Sequence, residues 1–307
     1  MSDGGSQRTV VGAGTELAVI EAGARDRPTL LFIHGWPDTK ELWEPMLACL
    51  SDRYHVVAYD VRGAGASSAP RGLAAYDYER LADDTASVIA AVSPRRPVHV
   101  IGHDWGGLQG WELATQPRFA YQLASLTAIA GPSLDQIGRA FHRLAWPPRP
   151  AGLIELVRRL YRSWYILFLL MPGGPSLLWR GVLGGRRWPL LLKHIEGVAV
   201  GEGFPSPTYT RDALRGARLY RRNMPRRLLR PRRNAIAHVP VQLIVPSGDH
   251  LIAAAYYDGA EEAAPQLRRR TIEGTHWAPR KHPELLARWI AEFVDDVEAG
   301  SIEALPV

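Results

Sequence analysis

Short apolar runs rich in β-branched residues alternate with helical patterns along much of the chain. Four such runs each end in glycine, aspartate or a turn cluster, and they predict buried strands at residues 29–33, 55–59, 98–101 and 126–129. Between them, apolar residues recur at helical spacing over residues 41–50, 78–92 and 106–115. Strands that alternate with helices predict an α/β fold, in which a mostly parallel sheet carries helices on both faces.

The two ends of the chain extend this pattern. An N-terminal hairpin that leads into the sheet is predicted, with strands at residues 10–13 and 17–21. The strand pattern stops near Pro132 and resumes much later, with two further strands predicted at residues 241–245 and 267–272. An amphipathic pattern over residues 282–297 predicts a closing helix.

Residues 133–235 break the alternation and carry the positive charge of the chain. They have helical patterns, are rich in aromatic residues and proline, and hold 20 Lys and Arg against five Asp and Glu, whereas the rest has 17 against 26. We therefore expect residues 133–236 to form a helical cap inserted into a core made of residues 1–132 and 237–307. We expect the excess arginine on the outside of this cap and its apolar runs around a pocket.

Composition narrows the class of protein. The 307 residues are 46% apolar and 22% charged, which is typical of a globular protein and argues against collagen, a coiled coil and wholesale disorder. Cys49 is the only cysteine, so neither an intramolecular disulfide nor a cysteine metal cluster can form. The N-terminus has no apolar signal core, and we expect a cytoplasmic protein. The most apolar stretch, residues 163–179, is interrupted by Pro172 and Pro175, which favours buried helices over a membrane span.

A candidate nucleophile lies between the strand at residues 98–101 and the helix that follows. Gly102, Asp104 and Gly106 have the spacing of a nucleophile elbow, with aspartate where serine is more usual. Glycine is needed on both sides because the turn is tight and its central residue is strained. Backbone N–H groups and the helix dipole favour a negative charge there, so an ionised Asp104 could attack an electrophilic carbon.

The segment His34-Gly-Trp-Pro37 follows an early buried strand and predicts the second part of the site. In this architecture that loop supplies one oxyanion donor and the residue after the nucleophile supplies another. The donors would be the backbone N–H groups of Trp36 and Trp105. We interpret His34 as a structural, hydrogen-bonded histidine.

A base and its orienting acid should follow in the order nucleophile, acid, histidine. Asp249 lies just past the strand at residues 241–245, and His276 lies in the loop after the last strand. Asp249 would hold the tautomer of His276, and His276 would activate water. The alternatives for these two roles are His250, His282 and Asp135.

Together these motifs resemble the epoxide hydrolases of the α/β-hydrolase fold, over residues 15–297. The matching segments are residues 34–37, Asp-x-Arg-Gly-x-Gly-x-Ser at 60–67, Gly-His-Asp-Trp-Gly-Gly at 102–107, and Thr-His-Trp at 275–277. The chain is also similar to the hydrolase half of bacterial proteins that carry a short-chain dehydrogenase after it. In the family, two cap tyrosines donate hydrogen bonds to the epoxide oxygen. The resemblance implies Tyr165 and Tyr220 for this role, with Tyr161 and Tyr209 as substitutes.

The resemblance implies a two-step reaction that needs no metal or organic cofactor. Tyr165 and Tyr220 polarise the epoxide, and Asp104 attacks a ring carbon to form an alkyl-enzyme ester. His276 then activates the water that hydrolyses this ester to a vicinal diol. The apolar cap favours a lipophilic epoxide as substrate.

Two other functions stay open at the sequence level. A haloalkane dehalogenase would share the Asp nucleophile and the histidine, and Trp105 could hold a halide. A basic module that binds membranes peripherally would use the ten arginines of residues 211–233 on anionic lipid. Nucleic acid is not expected, because no known binding motif accompanies the charge. The oligomeric state stays open, a homodimer included.

Overall fold

Eight strands form one sheet in the computed structural model, which describes residues 6–201 and 203–302. The strands are β1 (Ser6–Val11), β2 (Glu16–Ala22), β3 (Thr29–Ile33), β4 (His55–Tyr59), β5 (Val98–His103), β6 (Leu123–Ile129), β7 (Val241–Pro246) and β8 (Leu267–Ile272). Their order in the sheet is β1-β2-β4-β3-β5-β6-β7-β8. β2 runs antiparallel to both of its neighbours, and the pairs from β4 to β8 are parallel.

The helices fall into three groups along the chain. Between β3 and β6 lie α1 (Glu44–Leu50), α2 (Tyr78–Val92) and α3 (Trp105–Ala114). Between β6 and β7 lie the inserted helices, α4 (Leu134–Ala145), α5 (Pro150–Arg162), α6 (Trp164–Leu170), α7 (Gly174–Ser176), α8 (Arg187–His194) and α9 (Tyr209–Leu229). After β7 come α10 (Ala260–Ala263), α11 (Ala278–Lys281) and α12 (Pro283–Glu298). A π-helical segment, Leu177–Val182, and four short 3-10 turns complete the described elements.

The order of the strands reverses at the centre of the sheet. From β3 the chain crosses to β4 on one side and then returns to β5 on the other side of β3. The loops that leave β3 and β5 therefore start side by side and diverge. In open α/β sheets this switch point at the carboxyl ends of the strands is where ligands bind.

Apolar side chains on the central strands pack on both faces of the sheet. Along β3, Leu31 and Ile33 belong to the core under α2 and α3, whereas Leu30 and Phe32 belong to the core under α1 and α12. All four are fully buried. Burial on both sides explains why β3 is an uninterrupted apolar run instead of an alternating one.

The predicted strands and core helices are present, with shifts at their ends. β6 begins at Leu123, three residues before the predicted strand. The apolar pattern missed this start because Ser125, a polar residue, is buried in the strand. Its hydroxyl lies 2.8 Å from Nδ1 of His99 on the neighbouring strand. The predicted helix over residues 41–50 divides into a 3-10 turn, Lys40–Trp43, and α1.

The expectation of buried helices over residues 163–179 is wrong. Leu169 and Trp179 are buried, but Trp164, Leu167 and Met171 are largely exposed to solvent. The seven-residue helix α6 packs against α9 on one side. Its remaining side faces outward, which a count of apolar residues does not reveal.

Many of the described arginines of residues 133–235 are exposed on the outside of the inserted helices, as expected, but Arg227 and Arg232 depart from this expectation. Arg227 and Arg232 face the core, where their guanidinium groups lie within 3.5 Å of the buried carboxylates of Glu112 and Asp135. We call these four residues the junction cluster. Two carboxylates buried near one another need cationic partners, so the arginines are held inward.

Loss of one junction arginine should destabilise the fold. Arg227→Met leaves Glu112 and Asp135 with less compensating charge, and we expect a loss of about 3 kcal/mol in the free energy of unfolding. Urea denaturation at neutral pH measures this loss. Arg230→Met, at an exposed position at the end of the same helix, is the matched control and should change stability by less than about 0.5 kcal/mol. Equal losses in the two variants would contradict the structural role of the junction cluster.

Candidate active site

Asp104 occupies a strained turn between β5 and α3. Its backbone has φ 49° and ψ −119°, a positive φ that non-glycine residues rarely adopt. The turn fits only because its neighbours are small. A Cβ on Gly106 would lie 2.0 Å from the carbonyl oxygen of Ile33, and one on Gly102 would lie 2.3 Å from the carbonyl oxygen of Gly106. The strain places the Asp104 carboxylate at the carboxyl edge of the sheet.

Two backbone N–H groups bind the Asp104 carboxylate. The N–H of Trp36 donates to Oδ2 over 2.9 Å, and the N–H of Trp105 also hydrogen-bonds the carboxylate. Burial raises the pKa of Asp104, whereas the charge of His276 and these two hydrogen bonds act in the opposite direction, and the pKa stays above its ordinary value. The two donors that the sequence indicated thus bind the same carboxylate.

His276 lies between two carboxylates. Its Nδ1 is 2.8 Å from Oδ2 of Asp249, and its Nε2 is 3.9 Å from Oδ1 of Asp104. The other oxygen of Asp249 accepts the backbone N–H groups of Leu251 and Ile252, each over 2.8 Å. Burial lowers the pKa of His276, but the Asp249 carboxylate more than compensates and the pKa rises to about 9. Burial raises the pKa of Asp249, but the His276 charge and hydrogen bonds outweigh it, and the net shift is downward.

An apolar cavity of about 250 Å³ lies in front of Asp104. Tyr165 and Tyr220 line it together with Asp104, and most of the remaining wall consists of aliphatic side chains with Phe141 and Met224. The structure therefore brings the predicted nucleophile and both predicted tyrosines to one cavity. The wall also carries the hydroxyls of Ser163 and Tyr256, which lie 2.7 Å from each other.

Tyr220 is held firmly by the core. Its ring packs edge-on against Trp36 and Trp105, with centroids 5.1 and 4.8 Å away. Asn223, one turn further along α9, accepts the N–H of Tyr78 over 3.0 Å and donates to the carbonyl of Tyr76 over 2.8 Å. These bonds fix α9 on the core and with it the direction of the Tyr220 hydroxyl.

Tyr165 and Tyr220 keep their protons at physiological pH. Burial raises the pKa of the Tyr165 and Tyr220 hydroxyls, and the nearby Asp104 carboxylate raises it further. Each hydroxyl is therefore a hydrogen-bond donor that faces the cavity wall carrying a carboxylate.

The alternative residues lie elsewhere. Tyr161 and His250 are exposed. The hydroxyl of Tyr209 donates to the carbonyl of Gly185. His282 stands at the start of α12, and Asp135 belongs to the junction cluster. The cavity wall includes none of these alternatives among the described residues.

Three further polar residues support the site. His34, interpreted as structural, is buried, and its Nε2 accepts the N–H of Val61 over 2.9 Å. Asp38 is also buried and accepts the indole N–H of Trp277 over 2.8 Å; burial raises its pKa to about 7. The ring of His103 lies 4.8 Å from that of His276, and burial lowers its pKa to about 3, so it is neutral.

Sequence reasoning did not identify Asp38 and His103. The available signal was their position, because Asp38 follows Pro37 and His103 precedes Asp104 directly. Within the part of the chain that the structure describes, no group of three or more His, Cys, Asp or Glu side chains is arranged to hold a metal ion.

Comparison with known proteins points to one fold. A family model for the α/β-hydrolase fold matches residues 28–148. The epoxide hydrolase of Bacillus megaterium, solved with an inhibitor, superposes with a TM-score of 0.78 over 94% of this chain and all of that one, at 22% identity. Epoxide hydrolase A from Mycobacterium thermoresistibile gives 0.73 over 98% of this chain and all of that one, also at 22% identity.

Two sequence relatives come from Mycobacterium tuberculosis. The protein named probable oxidoreductase EphD is 34% identical over 286 residues, which is 92% of this chain and 48% of the relative. Epoxide hydrolase A is 32% identical over 193 residues, which is 60% of this chain and 56% of the relative. The chain thus spans about half the length of the relatives that it matches.

The charge of Asp249 should control the titration of His276. Asp249→Asn keeps the shape of the acid but removes its charge, so we expect the pKa of His276 to fall from about 9 by at least one unit. The imidazolium would then be lost at lower pH, which ¹H–¹⁵N NMR of the histidine ring nitrogens measures. Asp258→Asn, at an exposed carboxylate, is the control and should leave the titration unchanged. An unchanged His276 titration in Asp249→Asn would contradict this account of the pair.

Proposed function

We propose that this chain, which has the α/β-hydrolase fold, hydrolyses epoxides to vicinal diols. The observation that carries the proposal is the cavity, where a carboxylate held by two backbone N–H groups shares an apolar wall with two buried tyrosine hydroxyls. The names of the mycobacterial and bacillar relatives support the same reaction. In this proposal residues 133–236 are the cap, and residues 1–132 and 237–307 are the hydrolase core.

In the first step Asp104 opens the epoxide ring. Oδ2 of Asp104 is occupied by the Trp36 N–H, so the attacking atom is Oδ1, the oxygen nearer His276. A bond forms between Oδ1 and a ring carbon, while the bond from that carbon to the epoxide oxygen breaks and its electron pair stays on oxygen. Tyr165 and Tyr220 donate hydrogen bonds to this developing alkoxide, and one of them supplies its proton.

Formation of the ester prepares the base for the second step. The charge of Asp104 contributes to the raised pKa of His276, and the ester carries no such charge. The pKa of His276 therefore falls below about 9, and the imidazolium loses the proton that restores the tyrosine hydroxyl. The neutral imidazole, oriented by Asp249, is then able to accept a proton from water.

In the second step water hydrolyses the ester. The hydroxide attacks the carboxyl carbon of Asp104, and the N–H groups of Trp36 and Trp105 stabilise the negative charge on Oδ2. The tetrahedral intermediate collapses, and His276 returns its proton to the departing oxygen of the diol. The new carboxyl group of Asp104 then passes its proton to His276, which restores the carboxylate and the imidazolium of the free protein. No metal ion or organic cofactor takes part in these steps.

The substrate class follows from the cavity wall. An aliphatic and aromatic wall around a few polar groups suits a lipophilic epoxide. In the described residues no helix combines the length and the apolar character needed to cross a bilayer. Contact with a membrane, a cytoplasmic location and a homodimer remain predictions.

Haloalkane dehalogenation is the rival reaction for the same nucleophile. A halide needs N–H donors that point freely into the cavity. The indole N–H of Trp36 donates to the carbonyl of Ala213 over 3.0 Å, and Trp105 shares a hydrogen bond with the side chain of Tyr220. These contacts favour the epoxide over the halide. An assay of diol and halide release from a matched epoxide and haloalkane separates the two reactions.

Removal of the base should trap the covalent intermediate. In His276→Gln the Asp104 nucleophile is intact but water is not activated, so one equivalent of epoxide should add to the protein. Intact-protein mass spectrometry measures this increase, which should equal the mass of the epoxide. Asp104→Asn in the same background should show no increase. A single wild-type turnover in heavy-oxygen water should give a first diol that carries enzyme oxygen, and solvent oxygen in that diol would rule out the ester.

The two tyrosines should be needed for ring opening. Tyr165→Phe and Tyr220→Phe each remove one donor to the developing alkoxide, and we expect kcat for diol formation to fall roughly a hundredfold in each. Tyr161→Phe, at an exposed position four residues before Tyr165 in the chain, is the control and should keep wild-type activity. Single-turnover rates of epoxide loss check the effect, and a full rate in both cavity variants would contradict the proposed role.

A further inference from the structure

The helix α5 presents its apolar side to solvent. Ile154 is 69% exposed, Val157 is 65% exposed and Leu160 is 52% exposed, with Leu153 beside them. These positions follow each other at the spacing of one helical face. An amphipathic helix at a protein surface normally buries that face.

Arg159, unlike Arg158 on the same helix, faces the body of the protein. Arg159 is largely buried, and its guanidinium donates to the carbonyl of Ala255 over 3.1 Å and pairs with Glu155 over 2.8 Å. Nη2 of the same guanidinium lies 3.6 Å from Oδ2 of Asp258. These polar contacts anchor α5 to the loop after β7, and they fix the apolar side outward.

The exposed apolar surface continues beyond α5. Tyr161 extends it at the end of α5, Trp164 and Leu167 extend it along α6, and Trp146 lies shortly before α5. We call Trp146 and the exposed apolar residues from Leu153 to Leu167 the apolar cap face. Its aromatic residues, Trp146, Tyr161 and Trp164, are of the kind that is enriched at the boundary between lipid and water.

The apolar cap face is continuous with the cavity in front of Asp104. Leu160 and Leu167 line that cavity and are also exposed on the outer face. These two leucines therefore join the apolar cap face to the apolar wall of the cavity.

The part of the chain that carries the apolar cap face is predominantly basic. Residues 136–201 contain ten Lys and Arg, and their two acids are Glu155 and Glu196. Glu196 is buried, and Glu155 pairs with Arg158 and Arg159. The exposed Arg149 and Arg158 lie on α5 or directly before it. Apolar and aromatic side chains with arginine beside them are the pattern of helices that lie in the surface of an anionic membrane.

We propose that the apolar cap face docks onto a bilayer surface that contains anionic phospholipid. In this arrangement α5 and α6 lie in the headgroup region, with the exposed Arg149 and Arg158 on lipid phosphates. The site differs from the arginine-rich segment 211–233, whose inward arginines are used by the core. The docking itself does not depend on the reaction, whereas entry of a lipophilic epoxide from the bilayer rests on the proposed function.

Vesicle flotation tests the docking with the whole chain. The wild-type protein should float with phosphatidylcholine vesicles that contain about a third phosphatidylglycerol, and should float far less with pure phosphatidylcholine. Ile154→Gln with Val157→Gln removes two exposed apolar side chains that do not line the cavity, and should weaken binding at least roughly tenfold. The matched control is Val11→Gln with Tyr121→Gln, two positions of similar exposure on the core, and should bind as the wild type does.

The outcomes separate docking from catalysis. Both double variants should hydrolyse a small water-soluble epoxide at the wild-type rate, which shows that they are folded. If the cap variant floats as well as the wild type, or if the wild type does not bind anionic vesicles, the docking proposal is wrong. If no epoxide is hydrolysed but flotation behaves as described, the proposed function fails and the docking stands. Self-association that the cap variant abolishes, without flotation of the wild type, would assign the face to a second copy instead.

Discussion

The hydrogen bond from the Trp36 N–H to the Asp104 carboxylate joins the two loops on which the site depends. β3 and β5 are neighbours at the point where the strand order reverses, so their loops begin together and separate. The tight packing of Gly106 on Ile33 brings the second loop close enough for the bond to form. Without this contact the strained turn would still expose the Asp104 carboxylate, but nothing from the β3 loop would hold its orientation. With it, one carboxylate oxygen is fixed and the other is directed toward His276 and the cavity.

The positive charge of the inserted helices has two separate consequences. In α9 and just after it, the charge faces inward: Arg227 and Arg232 neutralise the buried acids of the junction cluster, and this places Tyr220 over the Asp104 loop. Buried charges need partners, so the arginines that appear as an excess in the sequence become a structural joint. Before and within α5, Arg149 and Arg158 lie beside exposed apolar side chains. Among the described contacts, Glu155 is the acid that pairs with Arg158. The same residue type thus serves the fold in one helix and a surface in another.

The site electrostatics give a natural order to the proposed reaction. In the free protein His276 is protonated between two carboxylates, and it cannot act as a base until one of those charges disappears. Formation of the ester removes the charge of Asp104, so the second half of the reaction is enabled by the first. The buried, neutral His103 and the high pKa of Asp38 limit the further charge near His276. Burial of charged groups normally destabilises a fold. Here the burial of Asp104 and His276 strengthens the interaction between their charges, so the protonation of one depends on the charge of the other.

The sequence by itself determined the sheet, the elbow and the set of candidate residues. Apolar runs that end in turn residues located β3, β4 and β5, because strands buried on both faces of a sheet are uninterrupted apolar segments. The spacing of Gly102, Asp104 and Gly106 indicated the elbow, because only a tight strand-to-helix turn needs that arrangement. Only the tertiary structure decided where helical side chains point. It turned Arg227 inward and Ile154 outward, because the direction of a helix face depends on what the rest of the chain packs against it. It also brought Tyr165 and Tyr220 to one cavity with Asp104, since contacts between residues far apart in the chain are set by packing and leave no periodic trace in the sequence.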